Sequence, residues 1–135
     1  MHPIEHLRYV ARASHPDPLV VAQEAAFALL ALSHDANGLL VGCRLVIDYH
    51  PDNVALWWVC AKAVTSFEPR RTLRECMETM HERDRRWSYE DMDDEIENEI
   101  VDVPSSTPAP WDMSLEELQR QFPEAVHLLK NAHTI

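Results

Sequence analysis

Two pairs in this sequence have the types and spacing for chemistry: Glu78-x-x-His81 and Glu124-x-x-His127. A glutamate and a histidine three apart share one face of a helix. Two such pairs on facing helices, joined by a glutamate from each of two others, build a di-iron carboxylate site. Glu24 and Glu97 are the candidates for the additional ligands. The neighbours argue against it. A ligand that projects into a core needs apolar residues three or four positions away. Glu78 has Arg74 and Glu82 there, and His127 has Pro123, Lys130 and Asn131. Glu78, His81, Glu124 and His127 are therefore the metal candidates of a ferritin-like bundle, while the reading taken is two exposed pairs and no cofactor. His2 and His6 share a face at the chain start, and His15 and His50 each precede Pro-Asp, where they read as turn residues. Cys43, Cys60 and Cys76 have no histidine partner in local sequence and no Cys-x-x-Cys spacing; in apolar helical segments they behave as small hydrophobes. No catalytic residue is expected.

The elements that must position these residues are helices. Two glycines in 135 residues leave little for phosphate-binding loops or hairpin-rich sheets. Abundant Ala, Leu, Glu and Arg favour helix, and the length suits one domain. A formal charge of −11 disfavours direct binding to nucleic acid or anionic membranes and favours a basic partner. No apolar run reaches the roughly 20 residues of a membrane span. The start, Met1-His-Pro-Ile-Glu-His-Leu-Arg8, lacks the layout of a secretory signal. Three cysteines fit a reducing compartment, so a cytoplasmic location is expected.

The centre of the chain is His50-Pro-Asp-Asn-Val-Ala-Leu-Trp-Trp-Val-Cys-Ala-Lys-Ala-Val64, apolar on nearly every side, with Trp57 and Trp58 adjacent. A helix without a polar face needs cover from several neighbours. Around it the spacing predicts a short amphipathic helix over 3–13 and an apolar helix from Leu19 to Leu32, with Asp17 as N-cap and Pro18 at N1. Ser33–Gly38 reads as a turn on its Asn-Gly. A helix over Leu39–Tyr49 follows. Beyond a break near Ser66–Pro69, another carries Leu73, Cys76, Met77 and Met80 inward.

His15-Pro-Asp17 and His50-Pro-Asp52 stand 35 residues apart, and at that offset Val21 falls on Leu56, Ala26 on Ala61, Ala28 on Ala63 and Leu29 on Val64. Such a period, with Pro51, Asn53, Ala55 and Trp57 at the junction, loosely resembles tetratricopeptide repeats over residues 15–85. An ordinary antiparallel bundle with Pro-Asp helix starts accounts for it equally. Separately, Met1–Ala13 and Leu56-Trp-Trp-Val-Cys-Ala61 are similar to the helical N-terminal region of actinobacterial proteins of the translation initiation factor 2B family. That resemblance implies a shared helical module only. The family's Rossmann-like domain is missing, since no glycine and no apolar strand run follow Pro69, and no functional residue carries over.

Glu90 to Asp102 holds eight carboxylates and no basic residue, while Tyr89, Met92, Ile96, Ile100 and Val103 recur at spacings of three and four. This predicts an acidic amphipathic helix, packed on its own domain or laid in the groove of a basic partner. Half of the 12 basic residues (Arg70, Arg71, Arg74, Arg83, Arg85 and Arg86) lie just upstream, so pairing within the chain would also satisfy the charge. Pro104–Pro110 reads as a stiff linker. Ser114-Leu-Glu-Glu117 reads as a capping box, and Pro123 starts a last short helix. The division expected is a helical core over 1–86, the acidic helix over 87–103, a linker over 104–113 and a C-terminal helical segment over 114–135.

The function these features favour is a non-enzymatic protein–protein interaction module, an adaptor, accessory subunit or inhibitor. It would bind a protein with a basic surface through Trp87, Tyr89, Met92, Ile96, Ile100 and Trp111. A homo-oligomer is compatible with this. The alternatives are the metal-binding ferritin-like bundle and an acidic mimic of nucleic acid.

Overall fold

The computed structural model describes residues 3–12, 17–92 and 109–132. Among them are seven helices and no strand: α1 (Pro3–Arg12), α2 (Pro18–Leu30), α3 (Ala36–Tyr49), α4 (Val54–Val64), α5 (Pro69–Met92), α6 (Leu115–Gln121) and α7 (Pro123–Lys130). The protein is all-α. No helix among the described residues is long and apolar enough to cross a membrane.

At α2, α3, α4 and α6 a short polar side chain satisfies an amide left free in the first turn. Asp17 accepts from the Leu19 amide at 2.9 Å with Pro18 at N1 of α2, as its sequence predicts. Asp35 accepts from the Asn37 amide at 3.1 Å and starts α3 at Ala36. The expected Asn-Gly turn is therefore absent. Asn37 and Gly38 lie in the first turn of α3, and no described glycine has a positive φ. An aspartate at the cap position outweighs the turn signal, because ordinary helical dihedrals then satisfy the amides that follow. At α6, Ser114 Oγ accepts from the Glu117 amide at 3.1 Å. Only this half of the capping box forms, since the Glu117 carboxylate takes Arg120 at 2.7 Å instead of reaching back.

Helix α4 lies at the centre and packs against α2, α3, α5, α6 and α7. Ala55 through Ala61 and Ala63 are all buried, both tryptophans included. A large side chain withdrawn from water in this way contributes on the order of 1.5–3 kcal/mol. Helix α2 presents Ala22, Ala25, Ala26 and Ala28 to its neighbours, small residues that allow close approach. It packs chiefly on α5, α4 and α1, and more lightly on α3. The two copies of the 35-residue echo place their helix starts side by side, with Asn53 Nδ2 donating to the Pro18 carbonyl at 3.0 Å, and α2 and α4 pack on each other.

Helix α5 runs without a break past residue 87 to Met92. Helices α6 and α7 pack on α4, and α7 also on α3. Leu118 and Leu129 join the same buried cluster as Leu7, Leu56 and Leu73. Helices α6 and α7 thus form a wall of this core, because the indoles of α4 and the apolar stripes of α6 and α7 each need the other's cover.

Candidate interaction surfaces

The two Glu-x-x-His pairs do not meet. Glu78 and His81 are exposed on α5, Glu124 and His127 are exposed on α7, and Glu24 is exposed on α2. Helix α5 packs on α2 and α4, whereas α7 packs on α3, α4 and α6. Glu97 lies outside the described residues. Among those described, no group of three or more His, Cys, Asp or Glu is placed to hold a metal ion.

The three cysteines are free and buried, as small hydrophobes in a core. Burial pushes the Cys60 thiol well up, and a side-chain hydrogen bond with Cys43 raises it further. Burial takes Cys76 up to about 11 against the opposing pull of the Lys62 ammonium. Thiols held protonated are poor nucleophiles.

Of the expected partner-binding residues, Ile96 and Ile100 lie outside the described residues. Trp87, Tyr89 and Met92 fall in the last turns of α5, where only the backbone course is described. Trp111 is half-buried and stacks at a tilt on Trp58, with ring centroids 5.1 Å apart. Lys62 Nζ lies 5.8 Å from the Trp58 ring centroid, a cation–π contact. The Trp111 indole is thus engaged within its own core.

Between α3, α4 and α7 there is an open cavity of about 220 Å³, with Ile47, Trp57 and Leu129 at its floor and Arg44, Asp48 and Lys130 at its rim. Its polar groups serve the fold. Arg44 Nε donates to Asp48 at 2.9 Å, and its Nη1 donates to the carbonyls of Leu129 at 2.8 Å and Lys130 at 3.0 Å. A cation there satisfies the last carbonyls of α7 and opposes the negative end of that helix. The Trp57 indole N–H donates to the Pro51 carbonyl at 3.0 Å.

Large aromatics face water elsewhere. Tyr9 on α1 is 69% exposed, Phe27 on α2 is 60% exposed, and Phe67 in the α4–α5 turn is fully exposed. His6 meets Phe27 edge-on at 6.4 Å and shares a face of α1 with Tyr9, three residues on. His6 and Phe27 thus meet where α1 packs on α2. Phe27 is hard to single out in the sequence because it stands in an apolar run. Its signal was Glu24, three residues earlier, which marks the wet side of α2.

The chain matches no protein-family model, no curated protein and no solved structure.

Proposed function

We propose that this protein is a non-enzymatic helical module of the cytoplasm that works by binding another protein. The observation that carries the reading is the exposure of Tyr9, Phe27 and Phe67 on a domain whose other large apolar side chains are mostly enclosed. Aromatic residues dominate the energetics of protein interfaces, since they bury much area for few rotatable bonds. The carboxylates between Glu90 and Asp102 add a second element, suited to a partner with a basic surface. The test is affinity capture from the native host with the full chain, with a Tyr9→Ser/Phe27→Ser variant, and with a variant carrying amides at Asp93, Asp94, Glu95 and Glu97. A partner held by the full chain and lost from either variant supports the reading. A chain that captures no partner at all, or variants that retain every partner, overturns it.

A further inference from the structure

We draw no further inference here: the strongest candidate, the open cavity between α3, α4 and α7 floored by Ile47, Trp57 and Leu129, has its Arg44 guanidinium committed to Asp48 and to the carbonyls of Leu129 and Lys130, so nothing in the structure shows what fills it.

Discussion

Asn53 is the one buried polar residue among those described, 8% exposed, and it does two things at once. Its Oδ1 accepts from the Leu56 amide at 3.0 Å and starts α4, and its Nδ2 donates to the Pro18 carbonyl at 3.0 Å, fixing the start of α2 beside it. Loss of an N-cap costs about 0.5–2 kcal/mol, and loss of a neutral hydrogen bond about 0.5–1.5 kcal/mol. Asn53→Ala should therefore destabilise by roughly 1–3.5 kcal/mol. In a domain of this size that lowers Tm by about 3–5 °C per kcal/mol. Asn53→Asp separates the two roles. It keeps the acceptor for Leu56, but turns a carboxylate oxygen toward the Pro18 carbonyl where an N–H had donated. At neutral pH this variant should be less stable than the native chain despite an intact cap. The introduced carboxyl would have a raised pKa in the folded state, so the deficit should shrink as pH falls through that value toward the ordinary carboxylate range, where a protonated oxygen can donate again. Urea and thermal unfolding, followed by circular dichroism and tryptophan fluorescence between pH 4 and 7, measures both effects. An alanine variant within about 0.5 kcal/mol of native would refute the dual role. An aspartate variant as stable as native at pH 7 would refute the contact with Pro18.

Other outcomes follow from the same packing. Native protein should resist alkylation at Cys60 and Cys76 at pH 8 and become reactive in denaturant; rapid native labelling would contradict their burial. Because Cys76 ionises near 11 when folded against an ordinary 9.0, the unfolded chain releases that proton first, and stability should decline as pH rises from about 9 toward 11. Arg44→Met removes the cation that holds the end of α7 and should raise hydrogen exchange in α7, with a stability loss of roughly 1.5–3 kcal/mol; unchanged exchange there would argue against the clamp. A Cβ at Gly42 would meet Leu32 Cδ1 at 2.8 Å and Leu7 Cδ2 at 2.9 Å. Gly42→Val should therefore cost about 1–3 kcal/mol or more through overpacking, and a Val variant that melts with the native chain would show slack between α1 and α3. Deleting residues 109–135 uncovers Trp58 and removes Leu118 and Leu129 from the core, so it should abolish cooperative unfolding; a sharp transition would show that the rest folds alone.

Much of the fold was legible in residue order because its signals are local. The Asp17-Pro18 start of α2, the Pro123 start of α7 and the enclosed character of α4 each depend on a few neighbouring residues. Asp35 was missed as a cap because Asn37-Gly38 gave a competing turn signal at the same place. The exposed residues were harder to read. Phe27 and Phe67 have the same side chain as the half-buried Phe122, and only the placement of neighbouring helices sorts them. Trp111 follows a proline-rich stretch, where a tryptophan more commonly anchors its own domain but can also anchor a partner; it packs on Trp58 because α6 and α7 return to α4.

The sequence by itself determined the helical class, most helix starts, the apolar centre and the lopsided charge, since caps, periodicity and composition act over one or two turns. Tertiary structure decided which helices touch, that the last two helices close the core, that the glutamate–histidine pairs stay apart, and which aromatics remain in water. Those outcomes depend on distances between segments far apart in the chain, and no local pattern of residues encodes such a distance.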